Sequence, residues 1–332
     1  MTNLPKLPRR AFLGGLAATG VAAILGRMLD RSASAAPVPP VLFGAWQPGA
    51  PWDGSSRSLE NIDALEARLG RRLDIAHWYA GWAYAPRPDV ELIRAVTARG
   101  ALPLITWEPW DYAQGPEQPR YALDRIARGD FDAYVDTWAD DLATLGTPVY
   151  LRFAHEMDGD GYPWSVSRNG NTPDAYVRAW RHVVGRVRER AGNVRFVWCP
   201  NVTWEGSPRV PYAAVFPGVE HVDVLGLDGY NGGRDVDWGG WQSFPAIVDV
   251  SLAALAPLSA QDVWICEVGS AEAGGSKPQW IAEMWAALRE RPRITGLVWF
   301  NESREADWRI ESSAGSLAAM RDGLAALDTG RW

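Results

Sequence analysis

VYLRFAHEMDGDGYPWSVSRNGNTPDAYVRAWRHVVGRVRERAGNVRFVWC, residues 149–199, holds a complete strand–helix–strand unit. Residues 149–153 form a short run rich in β-branched and aromatic side chains, of strand length. Thr172-Pro173 supplies a side-chain cap and a first-turn proline, and Gly192 closes the helix that they open. A second β-rich run follows at 195–199. A strand, a crossover helix and a second strand make a parallel pair, which a tight hairpin cannot.

The same alternation extends in both directions. Strand runs fall at 41–46, 74–78, 102–107, 149–153, 195–199, 222–227, 263–267 and 295–300. Helix punctuation lies between them: Ser58 before 59–69 and Gly70 after it, Pro88 before a run ending at Gly100, and Asp130 before 131–145. Further helical runs fall at 246–255, 278–289 and 316–327, with a short one near 212–215. Eight strands alternating with helices predict an α/β fold, a (β/α)8 TIM barrel. The alternative is an open doubly wound sheet. Its phosphate loop would need glycines where Gly44-Ala45-Trp46-Gln47-Pro48-Gly49 has bulky residues. No repeat or linker divides residues 41–332, so residues 36–332 are expected as a single catalytic barrel.

Residues 1–35 read as an export signal. Lys6, Arg9 and Arg10 precede an uncharged, mostly apolar run at 11–25, and Ala33-Ser34-Ala35 is a small-residue cleavage site. The run is shorter than the ~20 residues that a membrane span needs, so no stable membrane insertion is expected after cleavage. Arg9-Arg10-Ala11-Phe12-Leu13 resembles a twin-arginine signal, which carries folded proteins. Removing the segment takes away five positive charges and one negative, and the formal charge moves from −7 to −11. Such an acidic chain is a poor partner for nucleic acid or anionic membrane. Cys199 and Cys266 fall on non-adjacent predicted strands and are expected as free buried thiols. The four histidines are scattered without zinc-ligand spacing, and neither a metal nor an organic cofactor is implied.

A barrel of this kind carries its site at the carboxyl ends of its strands. Thirteen of the nineteen tryptophans lie at or after those ends: Trp46, Trp52, Trp78, Trp82, Trp107, Trp110, Trp164, Trp198, Trp204, Trp238, Trp241, Trp299 and Trp308. Sugar rings present C–H groups on their faces, which pack on an indole while their hydroxyls reach polar neighbours. The substrate expected is therefore a polysaccharide or oligosaccharide. Glu156 follows the fourth strand and Glu267 ends the seventh, and these strands face each other across a barrel mouth. Retaining glycosidases need two carboxyls about 5–5.5 Å apart around the scissile bond. Strict alternation along 263–267 would point Val263, Ile265 and Glu267 inward and Cys266 outward.

Arg152-Phe153-Ala154-His155-Glu156-Met157-Asp158-Gly159, with Tyr162-Pro163-Trp164, resembles the acid/base motif of glycoside hydrolase family 26. Ile265-Cys266-Glu267-Val268-Gly269 resembles the family's nucleophile strand. The resemblance covers nearly all of residues 41–332. It implies retention of configuration with Glu156 as acid/base and Glu267 as nucleophile. Trp299 is matched to the tryptophan that floors the subsite at the cleavage point, and Tyr230 to the tyrosine that bonds the nucleophile. It implies β-1,4-mannan most often as substrate, with mixed-linkage β-glucan or β-1,3-xylan in some members; endo-type cutting is expected, and an exopolysaccharide is a separate alternative. A barrel that binds carbohydrate without cutting it is a further alternative. The chain departs from the motif twice: Asp158 stands where the family usually has Asn, and Gly161 where it usually has a tryptophan that stacks on the leaving-group sugar. Trp164 or Trp204 could supply a substitute.

The remaining expectations follow from residue chemistry. Arg152 is a fixed cation on the strand leading to Glu156, and an adjacent cation favours the charged form of Glu267. His155 is expected to bind a sugar hydroxyl or orient Glu267. His77 and Trp78 end the second strand and would line the glycone side; Trp110 and Trp198 are further candidates for substrate binding. Glu108 and Asp111 are possible hydroxyl ligands, Glu302 is a third carboxylate, and Asp228 is read as shaping the turn before Tyr230. A monomer is expected.

Overall fold

The computed structural model describes residues 41–48 and 59–329; the signal at 1–35, the start of the barrel at 36, Ser58 and Trp52 lie outside them. Eight strands occur: β1 (Leu42–Trp46), β2 (Ile75–Gly81), β3 (Leu102–Glu108), β4 (Val149–Phe153), β5 (Val194–Trp198), β6 (Val224–Asn231), β7 (Val263–Ser270) and β8 (Ile294–Phe300). Each pairs in parallel with the next, and β8 closes on β1, which makes the predicted (β/α)8 barrel.

The principal helices are α1 (Glu60–Leu69), α2 (Val90–Ala98), α3 (Leu123–Ala127), α4 (Asp132–Ala143), α5 (Pro173–Arg188), α6 (Tyr212–Val215), α7 (Phe244–Leu255), α8 (Lys277–Arg289) and α9 (Ala314–Asp328). The caps explain their starts. Thr172 accepts from the backbone N–H of Ala175 at 3.1 Å. Asp89 does the same for Leu92 at 2.9 Å, so α2 is capped by Asp89 rather than opened by Pro88. Among the described residues no helix is long and apolar enough to cross a membrane.

Two apolar layers hold the barrel. The larger lies between sheet and helices. The smaller fills the barrel interior, where Ile75, Leu104, Val197, Cys199, Val224, Trp264, Cys266 and Val298 pack together. Glycine is required where the interior is tightest. A Cβ on Gly296 would stand 2.6 Å from the Trp264 ring, and one on Gly226 would stand 2.6 Å from Cys199 Cβ.

The interior layer corrects the alternation expected for β7. Trp264 and Cys266 face inward, and Val263 and Ile265 join the helix-side core. Glu267 reaches the interior through a bulge. Leu227 pairs with Ile265 but Asp228 with Glu267, and against β8 the register shifts between Ile265 and Val268. One extra residue reverses the side on which the following side chain emerges. Cys199 and Cys266 are free and buried as expected, and they meet inside the barrel although their strands are not neighbours.

Candidate active site

Above the apolar plug, toward the carboxyl ends of the strands, the inward side chains become polar. Arg152 on β4 organises them and is fully buried. Its Nε donates to Thr106 Oγ1 at 2.7 Å, Nη1 to Asp228 at 2.5 Å, and Nη2 to Glu267 Oε1. Burial opposes its charge, yet Asp228 and Glu267 push its pKa well above the ordinary value. Thr106 also bonds His77 Nε2 at 2.7 Å. Asp228 thus sits in an interior ion pair rather than only shaping a turn, and it accepts from Cys199 Sγ at 3.2 Å. Burial pushes its carboxyl up and Arg152 opposes the shift.

Glu267 is held from three sides. Besides Arg152, Tyr79 Oη donates to Oε1 at 2.6 Å and Tyr230 Oη to Oε2 at 2.5 Å. Charge-assisted bonds of this kind are short and roughly twice as strong as neutral ones. Burial and the Glu267 charge raise both tyrosines well above their usual pKa, so both remain donors.

Glu156 sits where the chain leaves β4 by a strained path. Ala154 and Glu156 have φ of 44° and 49°, a left-handed backbone that non-glycine residues rarely adopt. The turn is pinned by Ala154 N–H donating to Trp107 O at 3.2 Å and Glu156 N–H to Cys199 O at 2.8 Å. Glu156 keeps part of its surface open, while burial first and repulsion by Glu267 second raise its carboxyl to about 8. Two acids near each other therefore sit in opposite settings, one ringed by donors and one pushed toward its protonated form.

Around the pair stand groups with unfilled hydrogen-bonding capacity. His155 is buried with both ring nitrogens unpaired, and burial, with Arg152 and His77, lowers its pKa well below the usual value. It is neutral and can donate from one nitrogen and accept at the other. Glu108 ends β3 two residues beyond Thr106, on the same inward face, and burial raises it to about 8.

Residues 101–262 match the family described as glycosyl hydrolase family 26. The chain is 36% identical over 284 residues to "Endoglucanase H" of Acetivibrio thermocellus, an alignment covering 83% of this chain and 30% of that protein. The chain belongs to glycosyl hydrolase family 26. A second relative by sequence, "Beta-1,3-xylanase TXYA" of Vibrio sp, is 33% identical over 128 residues, 35% of this chain and 24% of that protein. The chain thus spans less than a third of these relatives' lengths. The catalytic domain of the Bacillus sp. JAMB-750 family-26 endo-β-1,4-mannanase superposes with TM-score 0.65 at 18% identity, covering 86% of each chain, and shows the shared fold.

Within this family-26 barrel the structure sorts the predicted site residues. Arg152, His155, Tyr230, His77, Glu156 and Glu267 come together. Trp78, Trp198 and Trp299 do not: each is buried in the core between sheet and helices. They occupy the outward parity of their strands, beside inward His77, Cys199 and Phe300. Trp299 Nε1 donates to Trp308 O at 2.8 Å, and its ring meets Trp280 of α8 edge-on. Trp308 instead packs against Tyr230, at 5.0 Å between centroids. Trp164 is fully buried, stacked on Tyr162 at 4.5 Å and bonded to His155 O at 2.5 Å, so it props the loop and offers no open face. Trp110 lies half-buried against both rings. Trp204 is 51% exposed. Asp111 holds its own loop through Tyr84 and Gln114, and Glu302 accepts from Trp46 Nε1 at 2.9 Å.

Sequence reasoning missed Tyr79 and the interior role of Asp228. Tyr79 was legible as the inward residue two beyond His77, and Trp78 drew attention to the wrong face. Among the described residues, His155, Asp228 and Glu267 have ligand atoms within 4.8 Å of one another. The Arg152 guanidinium already joins two of the three, so an added cation there would meet a fixed positive charge.

Proposed function

We propose that this chain is a retaining glycoside hydrolase that makes internal cuts in a β-linked polysaccharide, with Glu156 as general acid/base and Glu267 as nucleophile. The observation that carries the reading is the opposed pair. Glu267 is aimed by Tyr79, Tyr230 and Arg152, and Glu156 is raised to about 8 beside it. At neutral pH Glu156 holds a proton for the leaving oxygen while Glu267 attacks the anomeric carbon. Attack turns the Glu267 carboxylate into an ester and removes its charge. The repulsion that raised Glu156 then disappears, its pKa falls, and it takes a proton from the water that opens the glycosyl-enzyme. Neutral His155 and the Glu108 carboxyl bind sugar hydroxyls beside the bond.

β-1,4-Mannan is the first substrate to test, because the family resemblance implies it. β-Glucan is the second reading. It is favoured by the 36% identity to a protein named an endoglucanase, and by Gly161 in place of the tryptophan of the family motif. Mannan, glucomannan, lichenan, β-1,3-xylan and bacterial exopolysaccharides as a panel separate these outcomes. We further propose that residues 1–35 are a twin-arginine signal, that the barrel begins at 36, and that the exported chain works as a monomer.

The assignment of the pair is tested by rescue. Glu267→Ala should abolish hydrolysis, and azide should restore turnover with inverted product. Glu156→Ala should slow substrates with poor leaving groups far more than activated aryl glycosides. Full activity in either variant refutes the assignment.

A further inference from the structure

Two exposed tryptophans connect to the pair through different side chains. Trp238 stacks on Trp308 at 6.3 Å, and Trp308 abuts Tyr230, which bonds the proposed nucleophile. Trp204 stands on the loop after β5. The Arg209 guanidinium lies over its ring at 5.6 Å, and the residue is still 51% exposed. Arg209 is itself paired with Asp158 at 3.5 Å, two residues beyond Glu156. Asp158 is buried and accepts from both the backbone N–H and the side-chain amide of Asn201, at 3.0 and 3.1 Å. The turn after Glu156 and the loop bearing Trp204 are therefore tied together at one carboxylate.

The other aromatics near Glu156 pack on one another. Trp164 and Tyr162 are stacked on each other, and Trp110 meets both edge-on. At Gly161 an added Cβ would meet nothing within 4 Å, so this stretch of the loop forms no wall.

We infer that Asp158, Arg209 and Trp204 form one built platform that receives the sugar on the leaving-group side of the scissile bond. This rests on the proposed role of Glu156, because the acid marks the side from which the leaving group departs. Asp158 fixes the Arg209 guanidinium, which covers one face of the indole by a cation–π contact and leaves the other for the C–H face of a sugar. An asparagine at 158 could keep the bonds to Asn201 but would give Arg209 no charge to rest on. Asp158 and Arg209 are positioning residues, and Trp204 makes the contact.

The test compares kcat/KM on a β-linked tetrasaccharide that the wild type cuts with kcat/KM on a dinitrophenyl glycoside, which has no sugar on the leaving side. Trp204→Ala should lower the ratio of the two about tenfold, the size of one stacking contact. Trp204→Phe should recover most of it, and Asp158→Asn should lower it less, in the same direction. An unchanged ratio in Trp204→Ala, or no recovery in Trp204→Phe, overturns the platform. If the wild type cuts no β-linked tetrasaccharide and no dinitrophenyl glycoside, the hydrolase reading itself fails. Titration of oligosaccharides then decides the platform: weaker binding by Trp204→Ala supports it, and equal binding overturns it.

Discussion

Arg152→Met tests whether one guanidinium supports the whole polar floor. The substitution roughly keeps side-chain length and removes three donors: to Thr106, Asp228 and Glu267. The losses are unequal. Thr106 keeps His77, and Glu267 keeps Tyr79 and Tyr230. Asp228 keeps the weak thiol of Cys199 and becomes the stranded charge. Removing one partner of a buried ion pair costs about 3–5 kcal/mol, against a total stability of about 5–15. About 280 described residues unfold with about 0.6 kcal/mol/K of entropy, so a loss of about 4 kcal/mol lowers Tm by about 7 °C. The deficit should depend on pH. Burial already raises the Asp228 carboxyl, and without Arg152 it rises further. A carboxyl whose folded pKa exceeds its unfolded one binds more protons when folded. The variant is therefore spared part of the loss at low pH and bears all of it above the folded pKa. Calorimetric melts of both proteins at pH 5, 7 and 8.5 read this directly. A Tm difference under 1 °C at every pH, or one that does not widen as pH rises, would refute the reasoning.

Three further outcomes are expected. Hydrolysis should fall as pH rises through about 8, because the active form carries a protonated Glu156; a pH–kcat/KM profile flat to pH 10 would contradict this. Lys277 is buried with Nζ donating to Asp307 O, Arg309 O and Ser312 Oγ, and burial lowers its pKa to about 8. The unfolded chain binds the extra proton between pH 8 and about 10.5, so this group adds stability as pH rises through that window, by up to about 3 kcal/mol. Denaturant melts of wild type minus Lys277→Met should show that rise, and a constant difference would count against it. Gly161 has no left-handed φ and open space around it, so Gly161→Trp should fold and lower KM for manno-oligosaccharides if mannan is the substrate. Binding no tighter than wild type would turn the search toward β-glucan.

The sequence by itself determined the number and order of the strands and most of the helices between them, though not the short helix α3. Strand runs of four to eight residues and helix caps such as Thr172-Pro173 are local signals, and eight alternations leave few closed arrangements. It also placed Glu156 and Glu267 at the carboxyl ends of the fourth and seventh strands, on the face where such a barrel gathers its strand-end side chains. Tertiary structure decided which side chains face the cleft. Parity alone sends His77 and Tyr79 inward and Trp78 outward, and a tryptophan at a strand end looks the same in sequence on either face. The β7 bulge was beyond local reading, because alternation along 263–267 has no marker for the extra residue that turns Glu267 into the barrel. The pairing of Asp158 with Arg209 was equally hidden. A contact between loops 51 residues apart depends on how β4 and β5 bring their carboxyl ends together, and no single stretch of the chain encodes it.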